Sequence, residues 1–187
     1  MATGGKVVCV FCGSSPGADP RFAEAARQTG RLIAERGFRL LFGGGDIGLM
    51  GETARAARAA GAHVIGVLPD FLRHLEPPRG SSQTLLGVAD LFQRKARMIA
   101  LSDAFVVLPG GPGTMDEFFE ILTAAQLRQH AKPIVLVNLA GFFDPLEGLM
   151  DHFIRSGFAG ESIRALYRAV AAPEEAVAFI AERLAAA

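Results

Sequence analysis

The most informative part of the sequence reads LPGGPGTMDE and occupies residues 108–117. It follows an apolar, strand-like run at residues 104–108 and opens a helix-like run at residues 115–128. Glycines let the backbone approach a ligand closely, and the first amides of a helix have no partner within the helix. Because a helix N-terminus also carries a partial positive charge, this turn predicts a phosphate-binding site with the Glu117 carboxylate beside it.

The same residues also fit a purely structural role. Thr114 and Glu117 have the spacing of a capping box, in which two side chains satisfy the first amides of a helix. Asp116 and Glu117 further suit the positive end of the helix dipole. This turn alone therefore does not distinguish a capping role from ligand binding, and residues elsewhere in the chain must decide between the two.

The composition is typical of one neutral globular domain. The chain has 187 residues, 50% of them hydrophobic, and a formal net charge of zero. We therefore expect residues 1–187 to form a single domain that binds neither nucleic acid nor an anionic membrane surface. No apolar run reaches about 18 residues and no secretory signal is visible, so we expect a cytoplasmic protein without a transmembrane helix.

The two cysteines, Cys9 and Cys12, have C-x-x-C spacing. They lie on a predicted strand, where residues three apart face opposite sides of the sheet. That geometry opposes a shared metal ion or a disulfide, and the sequence has no second cysteine pair to complete a zinc site. We expect inert thiols in a reducing compartment and no bound metal.

Strand and helix signals alternate along the chain. Strands are predicted at residues 7–11, 38–42, 63–68, 104–108, 133–138 and 166–170, and helices at residues 20–36, 48–60, 89–102, 114–129, from 144 and from 173. Several strands are continuous apolar runs, which favours a parallel sheet covered on both faces. The pattern predicts an α/β fold, an open, doubly wound parallel sheet of Rossmann-like, three-layer type. Residues 69–87 are predicted to be an irregular loop over the site.

Three glycine-rich turns follow predicted strands, after Phe11, Phe42 and Leu108. Ligands of such folds bind at the carboxyl ends of the strands, so we expect the three turns to meet at one edge. The possible lip of the pocket comprises Gly13, Ser14, Gly44 and Gly45, and the turn at residues 12–15 to which the first two belong is either part of this lip or an ordinary turn.

The second turn, Gly43-x-Gly45-x-x-Gly48, matches the dinucleotide fingerprint, but it follows the second strand instead of the first. The acidic residue that the fingerprint needs about 20 residues further on is only loosely supplied by Asp70. We favour a tight turn near a smaller nucleotide.

The predicted helix around residues 91–101 directs positive charge towards its apolar side. Lys95 falls in the middle of the apolar arc and Arg94 near its edge, whereas Arg97 lies outside it. Charges directed at an apolar side are costly unless they are paired. Arg94 and Lys95 therefore either extend past the apolar surface to solvent or line a cleft and meet an anion.

The helix at residues 114–129 is apolar on two sides. One side carries Met115, Phe118, Phe119 and Leu122, and the other carries Ile121, Ala124 and Leu127 together with Glu117 and Glu120. A helix that is apolar on both sides is buried on both sides. We expect a second subunit to supply the second cover, with Glu117 in or near the interface.

Together these residues resemble the Lonely Guy (LOG) family of cytokinin riboside 5′-monophosphate phosphoribohydrolases, whose members have often been labelled lysine decarboxylase-like. The motifs that carry the resemblance are CVFCGSS at residues 9–15, GGGDIGLMG at 43–51, QRKARM at 93–98, SDAF at 102–105, PGGPGTMDE at 109–117 and the KP pair at 132–133.

The resemblance implies a Rossmann-like homodimer without metal or cofactor, with its site close to the dimer interface. The implied reaction is hydrolysis of the N-glycosidic bond of an adenosine 5′-monophosphate, N6-modified or not, to the free base and ribose 5-phosphate. Arg94 and Glu117 are the implied catalytic pair. The implied contacts to the nucleoside 5′-monophosphate are Glu76, Arg94, Lys95, Gly111, Pro112, Gly113, Thr114, Met115, Asp116, Glu117 and Thr123.

The chain departs from the family pattern at a few positions, which bear on base specificity. Pro112 stands where an aromatic residue is common, Phe92 where histidine is frequent, and Asp116 where glutamate is usual. Two alternatives remain open. One is a non-catalytic protein that binds a nucleotide or the molybdenum cofactor. The other is a lysine decarboxylase dependent on pyridoxal phosphate, for which Lys95 would form the Schiff base.

Overall fold

A seven-stranded parallel sheet forms the middle of the structure, a computed structural model that describes residues 5–186. In chain order the strands are β1 (Val7–Phe11), β2 (Arg39–Phe42), β3 (Val64–Pro69), β4 (Thr84–Val88), β5 (Ala104–Val107), β6 (Ile134–Val137) and β7 (Arg168–Val170). Their order across the sheet is β4-β3-β2-β1-β5-β6-β7, and all neighbours are parallel. The chain runs outward from β1 to β4 and then returns to β5 beside β1, so the strand order reverses between β1 and β5.

Six α-helices cover the two faces of this sheet. They are α1 (Pro20–Glu35), α2 (Gly48–Ala59), α3 (Leu91–Leu101), α4 (Pro112–Gln126), α5 (Asp144–Arg155) and α6 (Pro173–Ala185). Helices α1, α2 and α6 contribute to the hydrophobic cluster on one face, and α3, α4 and α5 contribute to the cluster on the other. The predicted doubly wound, three-layer Rossmann-like fold is confirmed, whereas the assignment of residues 1–187 to a single domain stays a prediction.

The central strands are apolar throughout because both of their faces are buried. In β1, Val8 and Val10 belong to one hydrophobic cluster, whereas Cys9 belongs to the other. Cys12, which follows β1, lies on the same side as Val8. The prediction that Cys9 and Cys12 face opposite sides of the sheet is therefore confirmed, and both are free, buried thiols.

The prediction for residues 69–87 was wrong in part. This segment contains a short 3₁₀ helix, Asp70–His74, and the edge strand β4, which pairs with β3. The residues of β4 are only half-buried and include the exposed Gly87. An edge strand has a neighbour on one side alone, so its sequence lacks the long apolar run that made the central strands easy to recognise.

The prediction that α4 has a second apolar side, covered by another subunit, was also wrong in part. Ile121 is fully buried within the chain itself, whereas Leu127 keeps 64% of its surface exposed. Ala124 is half-buried. Ile121 belongs to the same hydrophobic cluster as Phe118, which also contains residues of the sheet and of α5. Among residues 5–186, no helix has the length and apolar character needed to cross a membrane.

Candidate active site

A cavity of about 150 Å³ lies at the carboxyl edge of the sheet, where the strand order reverses. The chain leaves β1 towards one face of the sheet and leaves β5 towards the other, which opens a crevice between them. The cavity is lined by Cys12, Gly13 and Ser14 after β1, Met50 of α2, Glu76, Arg94 of α3, Gly111 before α4, and Pro112, Gly113, Thr114 and Glu117 of α4. The structure therefore brings together the predicted pair, Arg94 and Glu117, with the predicted glycine-rich turn.

Backbone contacts hold the three glycine-rich turns against one another. Gly13 donates its N–H to the Pro109 carbonyl at 3.1 Å, and Leu49 at the start of α2 donates to the Gly13 carbonyl at 3.0 Å. A Cβ atom on Gly110 would lie 2.8 Å from the Gly13 nitrogen, which is too close. Glycine at positions 13 and 110 thus allows the turns after β1 and β5 to touch. The expectation that the three turns meet at one edge of the sheet is confirmed.

Helix α4 starts earlier than the sequence suggested, which removes the capping-box interpretation. Its first residue is Pro112 and its N-cap is Gly111, with no capping side chain. Proline favours the first helical position because its fixed φ suits the helix and it has no N–H to satisfy. Thr114 is therefore the third helical residue, and Glu117 lies beyond the first turn. A structural role as capping partners does not explain this pair.

The start of α4 leaves room for a ligand against the backbone. A Cβ atom on Gly111 or Gly113 would meet no protein atom within 4 Å, so packing does not require glycine at either position. The φ of Gly111 is −91°, which any residue can adopt. The amides of Gly113 and Thr114 belong to the first turn, which has no intrahelical acceptors. These features together suit a phosphate group.

Arg94 is buried and only partly satisfied. It is 7% exposed, and its Nη2 donates to the Gly43 carbonyl at 3.0 Å and lies 3.8 Å from Glu76 Oε2. The longer distance is an ion pair but not a hydrogen bond. Arg94 Nε and Glu76 Oε2 are buried and have no hydrogen-bond partner among the described residues. Leaving such atoms unsatisfied costs about 1–3 kcal/mol each, so both are available to a ligand.

The glycines of the second turn make room for the side chains of Arg94 and Glu76, and this packing accounts for them without a dinucleotide. A Cβ atom on Gly43 would overlap Arg94 Nη2, and one on Gly45 would lie 2.8 Å from the Glu76 Cβ. Gly44 has a φ of +84° and packs against Leu68 of β3. Of the predicted lip, Gly13 and Ser14 line the cavity whereas Gly44 and Gly45 do not. The preference for a tight turn over a dinucleotide site agrees with this packing.

Glu117 has a carboxyl group that titrates near neutrality. Burial raises the pKa of Glu117 from 4.5 to about 7, and the Arg94 guanidinium opposes this increase. The carboxylates of Asp116 and Glu76 add to the increase. A group with a pKa close to the working pH can take up and release protons efficiently, and such values are typical of functional sites.

Four residues predicted to contact the nucleotide do not line the cavity: Lys95, Met115, Asp116 and Thr123. Lys95 Nζ lies 3.0 Å from carboxylate oxygens of both Asp116 and Glu120, and so links α3 to α4. Helical geometry explains the others. At about 100° per residue, Met115, Asp116 and Thr123 project at least about 100° away from Glu117 around α4.

Two further residues, Cys12 and Met50, line the cavity without an assigned role in binding or catalysis. Cys12 was assigned an inert structural role, and burial does raise the pKa of its thiol far above the usual range, so it stays protonated. Met50 lies within the GGGDIGLMG motif but carries no chemistry that would have singled it out. Among residues 5–186, no cluster of three or more His, Cys, Asp or Glu side chains has the arrangement of a metal site.

The three lysines of the sequence all lie outside the cavity. Lys6 pairs with Asp103 at 3.3 Å, and Lys132 donates to the Ile99 carbonyl at 2.6 Å. Burial opposes the charge of Lys95, but hydrogen bonds to Glu120 and Asp116 outweigh it and raise the Lys95 pKa. A Schiff-base lysine needs a neutral amine beside the ligand. The arrangement therefore opposes the pyridoxal-phosphate alternative.

Fold and cavity together define a Rossmann-like protein with an open helix N-terminus and a glutamate–arginine pair at its switch point. The family model described as a possible lysine decarboxylase matches residues 50–180. The probable cytokinin riboside 5′-monophosphate phosphoribohydrolase LOGL5 of Oryza sativa subsp. japonica is 44% identical over 166 residues, which cover 89% of this chain and 67% of that protein. The cytokinin riboside 5′-monophosphate phosphoribohydrolase LOG7 of Arabidopsis thaliana is 43% identical over 159 residues, 85% of this chain and 73% of that one. The chain belongs to this LOG family.

A solved structure extends the likeness of the fold beyond close relatives. The molybdenum cofactor binding protein from the phototrophic bacterium Rippkaea orientalis superposes with a TM-score of 0.75, covering 98% of this chain and 99% of that one. Its sequence identity is 22%, so the similarity is one of fold alone.

Proposed function

We propose that this protein hydrolyses the N-glycosidic bond of adenosine 5′-monophosphates, including the N6-modified cytokinin forms, to the free base and ribose 5-phosphate. The observation that carries the proposal is the pair of Glu117 and Arg94 in the cavity at the carboxyl edge of the sheet. Glu117 titrates near pH 7, and Arg94 presents an unpaired Nε in the same cavity. Relatives at 43–44% identity are named for this reaction on cytokinin riboside 5′-monophosphates.

The 5′-phosphate binds at the start of α4. The free amides of Gly113 and Thr114 and the positive end of the helix dipole supply the attraction. The open space beside Gly111 and Gly113 lets phosphate oxygens reach the backbone. Because Thr114 and Glu117 lie less than one helical turn apart, a phosphate bound here places the attached ribose next to the Glu117 carboxyl group.

Glu117 acts on the water that replaces the base. Cleavage of the bond between C1′ and the base nitrogen develops positive charge on the sugar, as in other glycosidic cleavages, and a nearby carboxylate stabilises that charge. Ionised Glu117 also accepts a proton as the water oxygen bonds to C1′. The proton that the water gives up balances the proton that the leaving base gains at its nitrogen, so the overall reaction neither consumes nor releases a proton.

Arg94 orients the substrate and tunes its acidic partner. Its Nη2 is fixed by the Gly43 carbonyl, which leaves Nε for an oxygen of the substrate. Its positive charge also favours ionised Glu117, because it lowers the pKa that burial has raised. Glu76 balances the charge of Arg94 at 3.8 Å and offers a free oxygen for a hydroxyl or amino group of the ligand.

The protein acts as a homodimer whose interface includes the surface of α3 and the end of α4. Large apolar side chains are exposed there, with Phe92 at 79% and Leu127 at 64%. Exposed aromatic and aliphatic groups of this size are typical of protein interfaces. A cytoplasmic location fits the two free cysteines, which persist as thiols in a reducing compartment.

Product analysis tests the reaction. Purified protein is incubated with AMP, with its N6-isopentenyl derivative and with adenosine, and free base and ribose 5-phosphate are quantified. We expect release of base from both monophosphates and far slower release from adenosine, which lacks the phosphate. Comparable kcat/KM values for AMP and adenosine would contradict the phosphate site. Binding of AMP without release of base would favour the alternative, a non-catalytic nucleotide- or molybdenum-cofactor-binding protein.

A further inference from the structure

A second cavity, of about 430 Å³, lies at the opposite edge of the sheet, and nothing in the proposed reaction uses it. It opens at the amino ends of β6 and β7, between the end of α4 and helix α6. We propose that this basic cavity binds a small molecule that carries a phosphate or diphosphate group. The side chains that carry the proposal are Arg128, Lys132, Arg168, Phe179 and Arg183.

Positive charge predominates in the basic cavity, although the Asp103 carboxylate attracts Lys132 from outside it. Four of its side chains are cationic, and no aspartate or glutamate of the described residues lines it. None of the four forms a salt bridge within residues 5–186. A predominantly cationic cavity is the electrostatic environment that attracts anions.

A structural role accounts for one of the four cationic side chains, Lys132, but not for the three arginines. Lys132 Nζ donates to the Ile99 carbonyl and so serves the end of α3. Arg168 and Arg183 instead both lie over the ring of Phe179, with their guanidinium carbons 4.9 and 5.9 Å from its centre. The ring attracts each cation, but the two like charges repel one another. An anion bound beside them would remove that repulsion.

The backbone at Arg128 provides an independent observation. Helix α4 ends in a Schellman motif, in which Arg128 donates to the Ala125 carbonyl and Gln129 to the Ala124 carbonyl, both at 2.9 Å. This motif normally has glycine at the position of Arg128, whose φ is +59°. A left-handed conformation is unfavourable for arginine. The strained residue lines the basic cavity, which indicates that its side chain is used there.

The geometry favours phosphate over other anions and a small molecule over a polymer. Guanidinium groups present planar pairs of N–H donors that match two oxygens of a phosphate. A nucleic-acid site would need a basic stripe that follows a backbone, but the chain has a net charge of zero and the three arginines of the basic cavity converge on one concave site. The site lies at the opposite edge from the proposed active site, so the proposal does not depend on the reaction there.

Calorimetric titration with inorganic pyrophosphate tests the proposal. The variant is the double substitution Arg168→Gln/Arg183→Gln, and the matched control is Arg21→Gln/Arg31→Gln, which removes the same charge from α1. We expect the first variant to lose one bound pyrophosphate or to bind it at least about tenfold more weakly, since charged hydrogen bonds are lost. The control should bind like the parent. Both variants should hydrolyse AMP at the parent rate when pyrophosphate is absent.

A second variant, Arg128→Gly, separates binding from folding. Glycine relieves the left-handed strain, so we expect a higher Tm together with weaker pyrophosphate binding. Parallel titrations with phosphate and with ribose 5-phosphate identify whether the natural ligand is a free anion or a phosphorylated sugar. Equal pyrophosphate stoichiometry and affinity in the parent, the Arg168→Gln/Arg183→Gln variant and the Arg128→Gly variant would overturn the proposal. Binding of a short DNA duplex that the double variant loses would overturn the assignment to a small molecule.

Discussion

Replacing Glu117 by Gln removes the titrating group of the proposed active site and keeps its size. In the folded protein, burial raises the pKa of Glu117 to about 7, whereas in the unfolded chain the carboxyl has its ordinary value of 4.5. At about 1.36 kcal/mol per pH unit, the gap between these values corresponds to about 3 kcal/mol. That amount is the free energy by which an ionised Glu117 destabilises the folded protein.

The pH dependence of this destabilisation has a definite sign. Below pH 4.5 the carboxyl is protonated in both states, so it does not penalise folding through its charge. As the pH rises from 4.5 to about 7, the unfolded chain releases the proton while the folded protein retains it, and the free energy of unfolding falls. Above about pH 7 the folded protein ionises as well, and the loss of stability is complete.

Urea unfolding at pH 5 and pH 8 measures this effect. The parent should lose about 2.5 kcal/mol more than Glu117→Gln between these two pH values, because glutamine does not titrate. In the activity assay, kcat/KM of the parent should rise with pH through about 7 as Glu117 ionises. The variant should lose that rise and about 10²-fold or more in kcat.

Glu120→Gln is the matched control, because Glu120 lies on the same helix but is exposed and pairs with Lys95 outside the cavity. It should keep the parent's turnover and the parent's pH dependence of unfolding. If Glu117→Gln and the parent lose the same stability between pH 5 and pH 8, the argument from burial is wrong. If Glu117→Gln turns over AMP near the parent rate, Glu117 is not catalytic.

Three further variants address the neighbouring elements. Gly43→Ala should displace the Arg94 guanidinium, because the added Cβ would overlap its Nη2. We expect kcat/KM for AMP to fall about tenfold or more, while the circular dichroism spectrum stays that of the parent. Gly111→Ala meets no protein atom, so its Tm should match or exceed that of the parent, whereas its KM for AMP should rise; an unchanged KM would place the phosphate elsewhere. Light scattering of the parent should give at least twice the chain mass of 19.7 kDa, and Phe92→Ser/Leu127→Ser should shift it towards the monomer.

The sequence predicted the architecture well because its strongest signals are local. Continuous apolar strands and alternating helices are enough to indicate a doubly wound sheet, and glycine-rich turns after three strands place the site at its carboxyl edge. The edge strand β4 was missed because its residues are half-buried and carry no apolar run. The start of α4 was misplaced because Thr114 and Glu117 imitate a capping box, whereas Pro112 begins the helix.

The contrast between Arg94 and Lys95 shows what a single sequence cannot decide. Both are buried, as their position on the apolar arc of the helix indicated. They lie about 100° apart around α3, and that angle sends them to different surroundings. Lys95 meets two carboxylates of α4, which neutralise it and leave it outside the cavity. Arg94 meets one carbonyl and a distant carboxylate, which leaves Nε unsatisfied. Which buried cation is free for a ligand therefore depends on partners from distant parts of the chain, and periodicity within one helix cannot reveal them.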